Sequence, residues 1–221
     1  MALAPGPLWE REELRAVAGE TLRPGGFELT DRAADHIGLV PGWRVLDVGA
    51  GLGATVARLR SRHGVSAWGV EPSAAQLERA DRPQGLIRAR GDRLPFKAGT
   101  FDALFCECVL SLVDDRPGGL AEFHRVLKPG GFLVLSDLCA FSLCASGPSL
   151  GGGASCADRA APLDRTARMV RDGGFAVELL EDHSAHLRDL AARLAWTAEG
   201  IACGCGRGMG YFLMIAQKQG A

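Results

Sequence analysis

A carboxylate followed by three glycines at alternate positions is the most chemically loaded stretch of this chain: Val45-Leu46-Asp47-Val48-Gly49-Ala50-Gly51-Leu52-Gly53. Glycine reaches backbone torsions closed to other residues and lets the main chain come into contact with a ligand. A helix that follows such a turn presents unpaired N–H groups at its start. Asp47, Gly49, Ala50, Gly51 and Gly53 are therefore candidates for a ligand cradle. The turn alone leaves the ligand open. Gly49, Gly51 and Ala54 also satisfy the G-x-G-x-x-G/A pattern of dinucleotide sites, so a nicotinamide-dependent oxidoreductase stands as an alternative.

Two later strand ends narrow the choice. Glu71, twenty-four residues after Asp47 in Trp68-Gly69-Val70-Glu71-Pro72, can accept hydrogen bonds from both hydroxyls of a ribose. Gly91-Asp92-Arg93-Leu94-Pro95-Phe96 offers Asp92 to an exocyclic amine and Leu94 to the face of an adenine. Three successive strand ends thus supply three nucleoside contacts at one rim of a sheet, where open α/β folds bind their ligands.

Sulfur is the other chemical signal. Cys106-Glu107-Cys108 and Cys203-Gly204-Cys205 are two C-x-C pairs, and Cys139, Cys144 and Cys156 lie in or beside a glycine-rich stretch. Thiolates are soft ligands, and C-x-C spacing lets two sulfurs reach one thiophilic ion, so Cys106, Cys108, Cys203 and Cys205 form a candidate site for a metal or metalloid. Cysteine is equally a small buried hydrophobe, which leaves pocket lining without chemistry as the alternative. In Glu181-Asp182-His183-Ser184, His183 is a candidate base near pH 7, while Asp182 and Ser184 are ordinary helix-capping residues. Arg23-Pro24-Gly25-Gly26 reads either as an anion clamp or as a plain turn.

The elements that must position these residues alternate along the chain. Seven short apolar runs read as strands: Arg44–Val48, Ala67–Val70, Leu86–Ala89, Phe101–Phe105, Phe132–Ser136, Ala176–Leu180 and Tyr211–Ala216. Between them, Val56, Ala57 and Leu59 before Gly64, and Leu120, Phe123 and Leu127 before Lys128-Pro129-Gly130-Gly131, predict crossover helices. Arg165–Asp172, and Leu187, Leu190 and Leu194, predict two more. Upstream, Leu14 and Val17 suggest a helix, and Thr30 is placed to N-cap another through Ile37. Alternating strands and helices predict a parallel sheet covered on both faces.

The order Asp-x-Gly-x-Gly-x-Gly at 47–53, Glu71, Gly91-Asp92-x-Leu94-Pro95-Phe96, Phe101-Asp102 and Leu127-Lys128-Pro129-Gly130-Gly131 resembles the class I S-adenosylmethionine-dependent methyltransferases. The resemblance covers roughly residues 40 to 137 and is to the small-molecule branch, methyltransferase type 11, with the ubiquinone/menaquinone and arsenite methyltransferases. It implies a Rossmann-like α/β fold with a seven-stranded, mostly parallel sheet whose last strand, Gly210–Ala216, is antiparallel. It also implies S-adenosyl-L-methionine as cofactor and S-adenosyl-L-homocysteine as product. On this resemblance Asp47, Gly49, Gly51 and Gly53 flank the methionine part, Glu71 with Pro72 holds the ribose, and Asp92 and Arg93 border the adenine. The end of the fourth strand then brings Cys106, Glu107 and Cys108 beside the reaction centre.

Bulk properties bound the rest. The 221 residues suffice for one α/β domain, residues 39–221, behind a helical appendage, residues 1–38, with a mobile loop expected at about 141–162. Net charge is -1 and the arginines are scattered, so nucleic acid is not expected as a partner. Residues 1–20 hold no apolar core of signal-peptide length and no stretch reaches membrane-spanning length, so a cytoplasmic protein without membrane contact is expected. Seven cysteines without an export signal point to reduced thiols. The function expected is methyl transfer to a small-molecule acceptor such as a thiol, a metalloid or a selenium or sulfur compound. A non-catalytic module binding cofactor or metal is the further alternative, and the oligomeric state is not written in the sequence.

Overall fold

Apolar residues alternate along each strand, and that alternation decides the architecture. In β1 (Arg44–Val48), Val45 packs on one side of the sheet and Leu46 and Val48 on the other. The same two-residue period separates Ala103 and Phe105 from Leu104 and Cys106 in β4 (Phe101–Glu107), and Val134 from Leu133 and Leu135 in β5 (Leu127–Ala140). Both sets are buried, so helices must cover both faces. The first face takes Leu120, Phe123 and Val126 of α5 (Arg116–Val126) and Ala167 and Val170 of α6 (Leu163–Asp172). The second takes Ala33 and Ala34 of α2 (Gly26–His36) and Val56 and Leu59 of α3 (Ala54–His63).

The computed structural model describes residues 8–10, 12–80, 85–141, 156–197 and 208–220. Its sheet adds β2 (Ser66–Glu71), β3 (Leu86–Arg88), β6 (Ala161–Pro162), β7 (Phe175–Asp182) and β8 (Met209–Lys218). The strand order is β3-β2-β1-β4-β5-β8-β7, with β6 pairing β5. Strands β3 through β5 run parallel, and β8 is antiparallel to both β5 and β7. All seven predicted strands are present. The eighth, Ala-Pro, is two residues long and has no apolar alternation to announce it. The chain winds outward from β1 in both directions, so the loops leaving β1 and β4 part and open a crevice at the rim of the sheet.

Three more helices complete the fold, α1 (Glu12–Ala18), α4 (Ala74–Arg79) and α7 (Ser184–Thr197), with single 3-10 turns at Leu8–Glu10 and Leu110–Leu112. Leu14 of α1 packs on Leu190 and Leu194 of α7. The structure corrects three local expectations. Thr30 does not cap a helix: α2 starts at Gly26, after Gly25 at φ 75, and Thr30 lies buried inside it. Ala57 is exposed while Val56 and Leu59 are buried. Leu127 leaves the helix to start β5, and the Lys128-Pro129-Gly130-Gly131 run lies in that strand, where Lys128 Nζ donates to Asp102 Oδ1 (2.6 Å). Among the described residues, no helix is long and apolar enough to cross a membrane.

Candidate active site

A cavity of about 320 Å³ opens at the parted rim. At one end it is built by backbone. The N–H groups of Gly49 and Ala50 both donate to Val70 O (2.8 and 3.0 Å), which ties the glycine turn after β1 to the end of β2. Gly49 has φ 77, and a Cβ there would lie 2.3 Å from a Val109 methyl, so no side chain fits. Glu71, buried at the end of β2, accepts from Gly51 N–H on one oxygen and from Ser73 N–H on the other, both at 2.9 Å. Burial raises the Glu71 pKa, and these two N–H donors oppose the rise. The carboxylate is therefore aimed before any ligand arrives, with a lone pair left on each oxygen.

At the other end the cavity is built by side chains from distant parts of the chain. Arg23 forms a buried ion pair with Glu107 at the end of β4 (2.7 Å), and Glu107 also accepts from Thr30 Oγ1 (3.0 Å) and Thr55 Oγ1 (3.5 Å). Arg23 Nε has no hydrogen-bond partner. Asp47, beside this cluster, is pushed up to about 8 by burial first and then by Glu107, with Arg23 pulling the other way. Burial likewise raises Glu107, opposed mainly by the Arg23 charge. Asp47, Glu107 and Arg23 thus converge on one part of the cavity wall, where the Arg23 guanidinium balances the Glu107 carboxylate and burial holds the proton on Asp47.

The structure brings Asp47, Gly49, Ala50, Gly51, Glu71, Pro72, Asp92 and Cys108 to the cavity wall. Both Asp92 oxygens are already engaged by Arg90, at 2.9 and 2.8 Å, and that pairing lowers its pKa. Four expected contacts lie elsewhere. Gly53 is buried at the start of α3 at φ 86, where its lack of a capping side chain leaves Ala54 and Thr55 facing the cavity. Arg93 is exposed and points off the cavity. Leu94 is buried in the core beneath the rim, with its N–H donated to Glu122 (2.8 Å). Cys106 is fully buried in that same core because the strand alternation turns it away from Glu107, and burial drives its thiol pKa well up.

His183 is also remote from the cavity. Its Nε2 pairs with Glu181 (3.0 Å) and its ring stacks on His186, while Asp182 accepts the Ser184 N–H (2.8 Å) at the start of α7. Among the described residues, no group of three or more His, Cys, Asp or Glu side chains is arranged to hold a metal ion. Cys144, Cys203 and Cys205 lie outside the described residues, as do residues 142–155 of the expected loop. Of the N-terminal segment, sequence reasoning named only Arg23, as an anion clamp or a plain turn, and the structure pairs it with Glu107. Trp9, Leu14, Thr21, Leu22 and Arg23 line the cavity, Gln76 Nε2 donates to Trp9 O (3.0 Å), and Ser73 Oγ donates to Glu10 (2.7 Å). No local spacing signals these contacts.

Comparison with known proteins agrees with this geometry. Residues 46–135 match the family described as a methyltransferase domain. Among curated relatives, the chain is 33% identical over 178 residues to 27-O-demethylrifamycin SV methyltransferase of Amycolatopsis mediterranei, covering 76% of this chain and 61% of that protein. It is 33% identical over 149 residues to O-methyltransferase resE of Aspergillus sclerotiorum, covering 62% and 53%. The chain thus spans between about half and three fifths of the length of these relatives. A crystal structure of the cyclase SpnF superposes with a TM-score of 0.75 at 23% identity, covering 100% of this chain and 99% of that one. Phosphoethanolamine N-methyltransferase 2 of Haemonchus contortus, in complex with S-adenosyl-L-methionine, superposes with a TM-score of 0.74 at 16% identity, covering 95% and 56%.

Over residues 46–135 the chain is thus similar to the methyltransferase-domain family, and it shares the fold of a solved methyltransferase that binds S-adenosyl-L-methionine.

Proposed function

We propose that this protein transfers a methyl group from S-adenosyl-L-methionine to an oxygen atom of a small-molecule acceptor. The observation that carries the reading is Glu71, a buried carboxylate with each oxygen fixed by one backbone N–H and standing on the cavity beside a glycine turn. That arrangement suits a vicinal diol such as a ribose, and Gly51, at φ 53 with nothing within 4 Å of a built Cβ, leaves room beside it. Asp47 and Glu107 would then face the methionine part, and the apolar wall of Val109, Leu112 and Val113 would meet the flat base or the acceptor.

When bound, the cofactor supplies an electrophilic methyl group on a positively charged sulfur. The protein's part is alignment and exclusion of water. Proximity alone supplies effective molarities of about 10⁵–10⁸ M, so a dedicated base is not required. An oxygen acceptor is supported by the relatives named as O-methyltransferases. A sulfur, selenium or metalloid acceptor has less support, because Cys106 is buried away from the cavity and only Cys108 of that pair lines it. We place the protein in the cytoplasm as a single methyltransferase domain, residues 39–221, behind an N-terminal helical appendage, residues 1–38.

Calorimetry with S-adenosylhomocysteine and with NAD, followed by labelled-methyl transfer to a panel of hydroxyl, thiol and arsenite acceptors, tests the reading. Binding of S-adenosylhomocysteine alone together with transfer to a hydroxyl supports it. Binding of NAD instead returns the oxidoreductase alternative. Tight cofactor binding with no transfer to any acceptor favours a non-catalytic module.

A further inference from the structure

Two sulfurs face each other on the cavity wall. Cys108 Sγ lies 3.9 Å from Cys156 Sγ, and both residues line the cavity. They sit 48 residues apart in the chain and in neither C-x-C pair together. Cys108 follows β4 at φ 61, one of two non-glycine residues with positive φ among the described residues, and its N–H is fixed to Ser136 O (2.6 Å). Cys156 begins a short turn held from its far end: Arg116 donates to Arg159 O, and Arg159 donates to Leu112 O (3.0 Å) and to Asp114 (2.9 Å). Two separately anchored segments therefore present their thiols to one another at the cavity wall.

We propose that Cys108 and Cys156 are a modification site: an oxidisable thiol pair that an organic hydroperoxide closes to a disulfide, tying the end of β4 to the turn at 156–159. The chemistry balances in two steps. One thiol attacks the hydroperoxide oxygen, giving a sulfenic acid and an alcohol. The second sulfur then displaces that hydroxyl as water, so two thiols and one hydroperoxide yield a disulfide, an alcohol and a water. The contact with Cys156, then burial, hold the proton on Cys108. The sulfurs must approach from 3.9 Å to about 2.05 Å to bond. The other described cysteines, Cys106 and Cys139, are buried in the core of the sheet and do not line the cavity. The proposal does not depend on the acceptor, nor on methyl transfer itself.

The test uses the full chain, reduced and then treated with cumene hydroperoxide, digested without reductant and mapped by mass spectrometry. The expected result is a loss of two hydrogens in a peptide pair joining Cys108 to Cys156, restored by dithiothreitol, with a melting temperature several degrees above the reduced protein. Cys108→Ser leaves Cys156 to be trapped by dimedone as a sulfenic acid, and Cys106→Ser leaves the cross-link intact. S-adenosylhomocysteine affinity is measured on the same reduced samples before oxidation. Bonds formed instead to Cys144, Cys203 or Cys205, or both thiols alkylated with no bond between them, would overturn the proposal. If S-adenosylhomocysteine fails to bind even the reduced protein, the methyltransferase reading falls while the cross-link is still scored on its own.

Discussion

The two ends of the cavity are made in opposite ways. Around Glu71 the partners are backbone N–H groups of Gly51 and Ser73, twenty and two residues away, held by a turn and a strand end. Around Glu107 the partners are side chains: Thr30 is 77 residues away, and Arg23 reaches in from the segment ahead of α2. The first end is set by local backbone geometry and offers free lone pairs to a ligand. The second is an assembled charge cluster whose members satisfy one another, so much of its character serves the fold before it serves a ligand. A backbone-built subsite fails through lost binding, and a side-chain cluster fails through lost stability.

Arg23→Met should be the most damaging change, since it leaves Glu107 buried without its counter-charge, at a cost of about 3–5 kcal/mol in denaturant unfolding. Adding Glu107→Gln to that variant should recover a large part of the loss. A single-variant cost below about 1 kcal/mol would place the pair with solvent-screened surface bridges and erase the contrast. Glu71→Gln should act on binding as well as on stability. It weakens S-adenosylhomocysteine binding by about 1.5–3 kcal/mol, roughly tenfold to a hundredfold by calorimetry. Its unfolding free energy falls by about 1–3 kcal/mol, less than in Arg23→Met, because the amide nitrogen cannot accept from one of the two N–H donors.

Asp47 gives a prediction in pH. Its folded pKa of about 8 lies above the ordinary value of 3.8, so between those values the unfolded chain has lost a proton that the folded chain keeps. The contribution is complete below the unfolded pKa and declines as pH rises, by up to about 1.4 kcal/mol per unit, until it levels off above pH 8. Glu107 and Glu71 are raised as well and add slope of the same sign. Asp47→Asn should flatten the curve of unfolding free energy against pH, and an unchanged slope would remove Asp47 as its source. The smallest effect belongs to Gly51→Ala. With φ 53 and open space around a built Cβ, it costs only the left-handed backbone term, about 1–2 kcal/mol, whereas Gly49→Ala adds a collision with Val109 and should cost more.

How much of this was legible in the sequence follows the same division. Strand periodicity, the glycine turn, Glu71 and Asp92 are signals carried within a few residues, and the structure brings all three site elements to one rim. Cys106 and Leu94 misled because their neighbours are at the site. A one-residue step along a strand reverses the face, so Glu107 meets the cavity and Cys106 meets the core. Thr30 misled in another way: a hydroxyl near a helix start reads as a cap, yet its partner is Glu107 in a strand, visible only once α2 is packed on the sheet. The facing of Cys108 and Cys156 is likewise a product of tertiary assembly and has no sequence spacing to announce it.

The placement of β8 has a consequence for how the molecule is made. Residues 209–218 lie between β5 and β7, not at a margin of the sheet. During synthesis from the N-terminus, β5 therefore emerges with one flank unsatisfied, and β7 has no neighbour to join until some thirty residues later. Tyr211, Phe212, Leu213 and Met214, all fully enclosed in the finished protein, are the insert that closes the gap. A nascent chain stalled before them would expose two open strand flanks at once, so this fold is most vulnerable to aggregation until residues 209–218 have been made.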